Sequence, residues 1–308
     1  MKNHSLALII QVEKAMLDLV QVPISHRLRF SSGMQDALTG LLNSSGSMLR
    51  ARLALSCGKV IGLSDDDCVC IATAAELLHS ALLIHDDIQN NEQVNRALAR
   101  NWQKFETNLA VSCGDLFLSA SFCAIAKVSK PRLIPILLAR MSQLASQAIY
   151  AQSASQTSRS NRTDLDTYIE IARAKSGMRL SLPMELALLL ADKKGRTVEL
   201  AQTACMDFAV GFQIYDDLID FIDHSPPLIQ SADSEPRLNI VSIFDYLNQK
   251  IEQPPNPIAS ATDFALRYLD KASNALFNLP FKSGSLLEGY IRTLECVLGA
   301  LTVQGIPQ

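Results

Sequence analysis

Charged residues are scarce in this chain of 308 residues: Asp, Glu, Lys and Arg make up 19% of it, whereas hydrophobic residues make up 48%. A chain with this many hydrophobic residues can bury a large core, so it is not intrinsically disordered. Its length and composition favour a single domain over residues 1–308. A basic excess is also missing, because 28 Lys and Arg face 31 Asp and Glu, for a formal net charge of −3. We therefore expect neither nucleic acid nor an anionic membrane surface as a partner.

The chain lacks the cysteine pattern of a disulfide framework or a zinc site. Its seven cysteines are odd in number, and most stand in apolar stretches. This predicts small, reduced core side chains. Cys68 and Cys70 have no second Cys/His pair at the spacing of zinc ligands.

Long uninterrupted apolar runs are missing as well. The N-terminal run ends at Glu13 and Lys14, too early for a secretory signal. No stretch approaches the roughly 18 uncharged apolar residues that a spanning helix needs. We therefore expect a cytoplasmic protein without a membrane span.

Glycine and proline are few, at 13 and 12 residues, and strict alternation of apolar and polar residues is almost absent. Apolar residues instead recur at helical spacing, which predicts an all-α domain. The predicted helices lie near residues 5–20, 30–42, 47–61, 65–90, 100–127, 131–151, 164–192, 196–222, 238–250, 260–278 and 284–302. Proline-rich stretches predict loops near 223–237 and 252–260, and the polar stretch Ser153–Arg162 predicts a third.

The segment that follows Ser64 is the clearest of these helices. Ser64 is suited to cap its start, Asp65–Asp67 suit the positive end of the helix dipole, and a long apolar run follows. We expect this helix to be buried on nearly every side, so each polar side chain in it needs a partner or a role. These residues are Glu76, His79, His85, Asp86 and Asp87.

Two acidic clusters close buried helices. The first runs from His85 to Glu92. The second, Phe212–Asp220, has four polar side chains on one helix face, at i, i+3, i+4 and i+7: Gln213, Asp216, Asp217 and Asp220.

Carboxylates at these helix ends meet the negative end of the dipole and repel each other, so they need a compensating cation. Mg²⁺ suits such an all-oxygen ligand set and completes its coordination with water and substrate phosphate. The alternative is that each cluster is merely a solvated helix end. Because the aspartates repel one another, removing one is expected to leave the free energy of unfolding equal or higher.

With these motifs the sequence resembles the trans-isoprenyl diphosphate synthases, the polyprenyl synthetase family, over roughly residues 40 to 300. Glu76–Ile88 resembles the family's run into its first aspartate-rich motif, and Phe212–Asp220 matches the second throughout. Smaller matches keep the family's order: Gly46–Arg50 resembles its glycine-lysine-x-x-arginine element, Gly114–Leu116 the glycine-aspartate that opens a later helix, and Lys175–Gly177 its lysine-threonine-glycine element. The resemblance implies a helical bundle around a central cavity.

The resemblance also implies roles for the matching residues. A Mg²⁺-diphosphate site is implied for five aspartates: Asp86, Asp87, Asp216, Asp217 and Asp220. Lys175 and Gln213 would help to hold the allylic substrate, with Lys175 counted among the catalytic groups. Arg50, His79 and Arg96 would bind the diphosphate of isopentenyl diphosphate.

Simple geometry supports part of this assignment. His79 lies two helical turns before Asp86, hence on the same face, and a second diphosphate requires fixed cations. The alternative for His79 is a core histidine satisfied by a carbonyl group, which is also our expectation for His85.

The sequence departs from the family at several charged positions. Asn90 replaces the third aspartate of the first motif; its amide oxygen can ligate Mg²⁺ but contributes no charge. Ser47 replaces a lysine, Asn95 replaces the first of two arginines and leaves only Arg96, and Ser225–Pro236 lacks a glycine-lysine pair. These losses weaken the contacts to diphosphate.

The implied activity is Mg²⁺-assisted ionisation of an allylic diphosphate and its condensation with isopentenyl diphosphate to a linear product. Two alternatives remain. In the first, the allylic cation is cyclised, coupled irregularly or transferred to another acceptor. In the second, the chain is a non-catalytic partner of an active homologue. An aromatic content of 6% leaves few rings to stabilise migrating cations, which favours elongation over cyclisation. The resemblance also implies a homodimer.

Product length depends on the residues that precede Asp86 on its helix. Leu82 and Ala81, about one turn earlier, and Leu78, a turn deeper, are expected to form the floor of the product tunnel. In the resembling family, an aromatic residue at the position of Ala81 is associated with a fifteen-carbon stop. Ala81 leaves this space open, so we expect mainly a twenty-carbon product, with fifteen carbons next. The alternative is that these are ordinary core residues.

Overall fold

The protein is helical throughout the part of the chain that the structure describes. This computed structural model describes residues 2–21, 32–43, 46–89, 107–157, 164–223, 239–248 and 255–303. Within these ranges there is no β-strand, which confirms the predicted all-α fold.

The helices are numbered in chain order. They are α1 (Lys2–Val20), α2 (Ser32–Asn43), α3 (Leu49–Val60), α4 (Asp65–Gln89), α5 (Thr107–Ile125), α6 (Ile134–Thr157), α7 (Leu165–Ala172), α8 (Met178–Leu190), α9 (Arg196–Asp223), α10 (Ile240–Asn248), α11 (Pro257–Phe277) and α12 (Ser285–Val303). Short 3₁₀ turns, Pro131–Leu133 and Pro280–Lys282, precede α6 and α12.

The predicted helix 164–192 is not one continuous α-helix. It consists of α7 and α8, joined by a π turn at Arg173–Gly177. Asp164 caps α7 by accepting the N–H of Thr167 at 2.8 Å. A π turn holds one residue more than an α-helical turn, so the side chains of α8 are rotated relative to those of α7.

Other boundaries differ for local reasons. The predicted loop Ser153–Arg162 is wrong at its start, because α6 continues to Thr157. α11 begins at Pro257 rather than at residue 260, because Asn256 Oδ1 accepts the N–H of Ile258 at 2.8 Å and proline suits the first helical position. The rest of the predicted loops lies mostly outside the described residues.

α4 lies at the centre of the fold. Ser64 caps it as predicted, with its Oγ accepting the N–H of Asp67 at 3.2 Å. The Asp67 carboxylate in turn accepts the N–H and Oγ–H of Ser129, at 2.7 and 2.6 Å. Most of α4 is buried against α1, α3, α5 and α8. Its C-terminal end therefore carries Asp86 into the interior.

A buried carboxylate fixes α8 between its neighbours. Glu185, fully buried, accepts hydrogen bonds from Arg140 of α6 at 2.5 and 3.0 Å and from Gln202 of α9 at 2.7 Å. Ser181 Oγ donates a further bond at 2.6 Å. Because both carboxylate oxygens are satisfied, this network joins three helices without leaving an unpaired charge.

The seven cysteines are free, in agreement with the predicted reduced side chains. Four of them are buried: Cys57, Cys68, Cys113 and Cys205. Burial raises the pKa of the Cys57 and Cys68 thiols to about 12, and that of Cys113 to about 11. These thiols are therefore protonated at neutral pH.

Two helices, α4 and α5, are long and apolar enough to cross a membrane, judged by length and composition alone. Inside the fold, 67% of the apolar window of α4 and 44% of that of α5 are buried. Each helix also has an acidic residue near its middle, Glu76 or Asp115. A core helix of a globular protein has the same apolar composition, so the expected absence of a membrane span stays a prediction.

Candidate active site

Asp86, the first aspartate of the first acidic cluster, forms a buried ion pair. Its Oδ2 accepts a hydrogen bond from Nη2 of Arg179 on α8, which lies 93 positions further along the chain. Both residues are only 6% exposed. A buried carboxylate needs a compensating cation, and Arg179 supplies one where the sequence predicted a metal ion. The neighbouring Asp87 is half-buried.

Arg50 is positioned by the first turn of α3. Gly46 and Met48, with φ of 60° and 50°, lead the chain into this helix. Glu76 Oε2 of α4 then accepts the N–H of Ala51 at 2.9 Å and so caps α3 from a neighbouring helix. Burial raises the pKa of Glu76, and the charge of Arg50 and the bond from Ala51 oppose that rise. Arg50 is thereby held beside α4.

Arg50, His79 and Arg179 form a basic cluster contributed by α3, α4 and α8. Each has a buried nitrogen without a hydrogen-bond partner among the described residues: Arg50 Nε, His79 Nδ1 and Arg179 Nε. Burial, followed by the charges of Arg50 and Arg179, holds the pKa of His79 well below its usual range. His79 is therefore neutral near pH 7, rather than the fixed cation that we expected.

The second acidic cluster lies at the end of α9, where Asp217 is buried. Its Oδ2 accepts the hydroxyl of Tyr168 at 2.9 Å and the N–H of Ile240 at 3.0 Å, and its Oδ1 accepts Nε2 of Gln213 at 2.9 Å. Burial raises the pKa of Asp217, and these three bonds oppose that rise. Asp217 thus ties α9 to α7 and to the start of α10. Asp216 is half-buried and Asp220 is exposed.

Lys175 lies in the π turn between α7 and α8. The turn packs tightly on α9: a Cβ at Gly177 would lie 2.7 Å from the Cα of Met206. Lys175 is partly exposed and has no hydrogen-bond or ion-pair partner within the described ranges. A π turn commonly occurs where a functional side chain has to leave the α-helical register.

Gly114 lies inside α5, not at the start of a helix as the family's glycine-aspartate element suggested. A Cβ at this position would lie 2.4 Å from His85 Nε2, so glycine allows α4 and α5 to approach closely. His85 Nε2 is 3.4 Å from Oδ1 of Asp115. Nε2 of His85 therefore faces a carboxylate, and a carbonyl partner for this histidine stays a prediction.

The structure brings together Arg50 and His79, and separately Gln213 and Asp217, of the predicted site residues. Asn90, Asn95 and Arg96 lie outside the described residues. Sequence reasoning missed Arg179 and Tyr168. Arg179 had a detectable signal, because it interrupts an apolar helix, MRLSLPMELALLL, as the polar residues of α4 do.

The fit to a metal ion differs between the two clusters. Among the described residues, no group of three or more His, Cys, Asp and Glu side chains could hold a metal ion by itself. Mg²⁺ needs only one or two carboxylates when water and phosphate complete its shell, and Asp216 and Asp220, one turn apart on α9, provide that donor set. At the first cluster, Asp86 is already neutralised by Arg179.

Solved structures of similar fold are isoprenyl diphosphate synthases. A geranylgeranyl pyrophosphate synthetase from the archaeon Geoglobus acetivorans superposes with a TM-score of 0.76 at 18% identity, over 92% of this chain and 96% of that one. A decaprenyl diphosphate synthase from Rhodobacter capsulatus has a TM-score of 0.74 at 17% identity, over 99% of this chain and 98% of that one. The fold is therefore that of the all-helical isoprenoid synthases.

Sequence comparison narrows this class to a family. The sequence profile of the polyprenyl synthetases matches residues 32–231, more than half of the chain. A farnesyl diphosphate synthase from Geobacillus stearothermophilus is 24% identical over 203 residues, which are 63% of this chain and 68% of that protein. A short chain isoprenyl diphosphate synthase from Methanocaldococcus jannaschii is 24% identical over 166 residues, or 54% of this chain and 51% of that protein. The chain belongs to the polyprenyl synthetase family, a family of prenyltransferases, as the resemblance predicted.

Proposed function

We propose that the chain is a Mg²⁺-dependent prenyltransferase that condenses an allylic diphosphate with isopentenyl diphosphate to a linear prenyl diphosphate of fifteen to twenty carbons. One observation carries this proposal. α4 presents Asp86 at its C-terminal end and, two turns earlier, His79 of a basic cluster in which each side chain has one buried nitrogen without a partner among the described residues. Carboxylates suit a metal-bound leaving group, and the basic cluster suits a second diphosphate.

In the proposed reaction the allylic C–O bond breaks, and pyrophosphate leaves with the bonding electron pair. The double bond of isopentenyl diphosphate attacks the allylic carbon and forms the new C–C bond. A proton is then lost from the isopentenyl unit to the released pyrophosphate. Arg50 and His79, with Arg96, hold the isopentenyl diphosphate, while Lys175 holds the allylic diphosphate.

When bound, Mg²⁺ would neutralise the charge that develops on the leaving pyrophosphate. Asp86, Asp87 and Asn90 would hold it on one side, and Asp216 and Asp220 on the other. Asp217 would help to position the end of α9 in this site, because Tyr168 and Gln213 donate hydrogen bonds to its carboxylate. The apolar faces of the surrounding helices keep water from the allylic cation.

The test is direct. The purified chain is incubated with Mg²⁺ and allylic diphosphates of five, ten and fifteen carbons, with and without isopentenyl diphosphate, and products are identified by mass spectrometry. We expect elongated linear diphosphates only when both substrates and Mg²⁺ are present. Cyclic or irregularly coupled products would contradict the proposed elongation. Consumption of the allylic diphosphate without isopentenyl diphosphate would contradict it as well. Either result would mean that the allylic cation reacts in another way.

The Asp86–Arg179 ion pair favours a second candidate function, that of a non-catalytic partner subunit. Asp86 is already neutralised in the fold, so it needs a metal ion less than an unpaired aspartate does. This candidate predicts no product from the chain alone. It also predicts copurification with a different prenyl synthase and a changed product distribution when the two are mixed.

A further inference from the structure

Arg179 is an arginine that the mechanism above does not use. It is 6% exposed, it lies in an otherwise apolar stretch of α8, and its Nη2 donates to Asp86. Its Nε is buried and has no hydrogen-bond partner within the part of the chain that the structure describes. A guanidinium group offers several N–H donors in one plane, so the bond to Asp86 leaves donors to spare.

The spare donors converge with those of two other helices. Arg50 Nε from α3 and His79 Nδ1 from α4 are also buried and unpartnered among the described residues. Burial is the main cause that lowers the pKa of Arg50 and His79, and the nearby charge of Arg179 lowers both further. Buried donors are normally satisfied. The unpartnered donors of this cluster are therefore suited to an anion.

A diphosphate matches the cluster better than a carboxylate does. It carries several negatively charged oxygens, which can accept from three helices at once, and arginine binds phosphate oxygens through paired N–H groups. Glu76 does not fill this role, because its Oε2 accepts the N–H of Ala51 at the start of α3.

We propose that Arg179 is a further diphosphate-binding residue, shared between Asp86 and the anion that Arg50 and His79 hold. This inference rests on the proposed function and deepens it. Arg179 links the first acidic cluster to the basic cluster. Any change that neutralises or occupies Asp86 releases Arg179 and strengthens the hold on the diphosphate.

The test measures binding of inorganic pyrophosphate in EDTA by calorimetry, without turnover and without metal. Wild type, Arg179→Gln, Asp86→Asn and the double variant form a cycle. Arg179→Gln, which can still donate to Asp86, is expected to weaken binding about tenfold, as the loss of a charge-assisted bond does. Asp86→Asn is expected to strengthen binding in the presence of Arg179, and to do so less in the Arg179→Gln background.

Arg292→Gln is the matched control, because Arg292 is 72% exposed and pairs with Glu288 on the same helix, α12. It removes the same charge and should leave binding unchanged. If Arg179→Gln does not fold, Arg179→Lys keeps the charge without the planar donor group and should bind pyrophosphate with intermediate affinity.

Two results would overturn the inference: equal pyrophosphate affinity in wild type and Arg179→Gln, or an effect of Asp86→Asn that is the same in both backgrounds. The product assay tests the proposed function separately. If coupling is found but no prenyl product forms, the inference stands and the proposed reaction falls. If prenyl product forms but no coupling is found, the proposed reaction stands and the role of Arg179 falls.

Discussion

The buried charge of Asp86 is compensated by the buried Arg179. The sequence alone suggested that removing an aspartate of either acidic cluster would leave stability equal or higher, but Asp86→Ala leaves the Arg179 charge buried and unpaired. We expect this variant to lose about 3 kcal/mol of unfolding free energy in urea denaturation. Asp216→Ala, at a half-buried residue, should lose less unfolding free energy than Asp86→Ala does.

Both variants should also abolish turnover if Asp86 and Asp216 hold the metal ion. Residual activity within tenfold of wild type would refute a metal role for the residue concerned. The two measurements are independent, because stability is measured without substrate or metal.

His79 should make stability depend on pH. In the unfolded chain its pKa is near the ordinary value of about 6.5, whereas in the fold it is well below that value. Below about pH 6.5 the unfolded chain therefore binds a proton that the folded chain does not, and the free energy of unfolding falls by up to about 1.4 kcal/mol per pH unit. Above this pH the contribution is fully present.

The test compares urea denaturation of wild type and His79→Asn between pH 5 and 8. His79→Asn should show a flatter profile below pH 6.5, and His4→Asn, at an exposed histidine of α1, is the matched control. An unchanged slope in His79→Asn would mean that His79 takes up its proton equally well in the fold.

At the scale of elements, the π turn depends on Gly177. A Cβ there would meet the backbone of Met206 at 2.7 Å, so Gly177→Ala must push the π turn away from α9. We expect a lower melting temperature and weaker binding of the allylic diphosphate, since Lys175 moves with the turn. Gly289→Ala in α12 is the control, because no atom lies within 4 Å of its added Cβ. It should stabilise the protein by up to about 1 kcal/mol through helix propensity.

α4 also sets our expectation for product length. Ala81 is fully buried, with Leu78 and Leu82 also buried on the same helix. If Ala81 lines the product tunnel, Ala81→Phe fills the space of the next isoprene unit and shifts the main product from twenty to fifteen carbons. Mass spectrometry of the products checks this in a variant that still folds. An unchanged distribution would assign Ala81 to the ordinary core.

Helices could be predicted from the sequence where neighbouring residues determine their start and their apolar face. Helical spacing and the Ser64 cap predicted α4, because a helix start depends on neighbouring residues. The π turn and the pairing of Asp86 with Arg179 could not be predicted in this way. They depend on how α8 packs between α4 and α9, a contact between distant parts of the chain. The neutral state of His79 likewise follows from burial and from two arginines on other helices.

At the scale of the whole molecule, we propose a cytoplasmic homodimer. Leu6 and Ile10, one turn apart on α1, are 59% and 56% exposed and form an apolar face that a second copy would cover. Light scattering at micromolar concentration should give twice the chain mass of 33.7 kDa. Leu6→Glu with Ile10→Glu should shift this equilibrium towards the monomer. A wild-type mass of a single chain would contradict the proposal.

The helical rod formed by α7, the π turn and α8 touches both acidic clusters. Tyr168 near one end bonds to Asp217, and Arg179, just past the π turn, bonds to Asp86. At an α-helical rise, the stretch from Tyr168 to Arg179 is roughly 16 Å long. The length of this rod therefore fixes the distance between the carboxylates of Asp217 and Asp86. Inserting one residue into this already widened turn, for example after Ala174, would turn Arg179 by about 100° about the rod axis, away from α4. Insertions here should therefore disable the enzyme even where substitutions are tolerated.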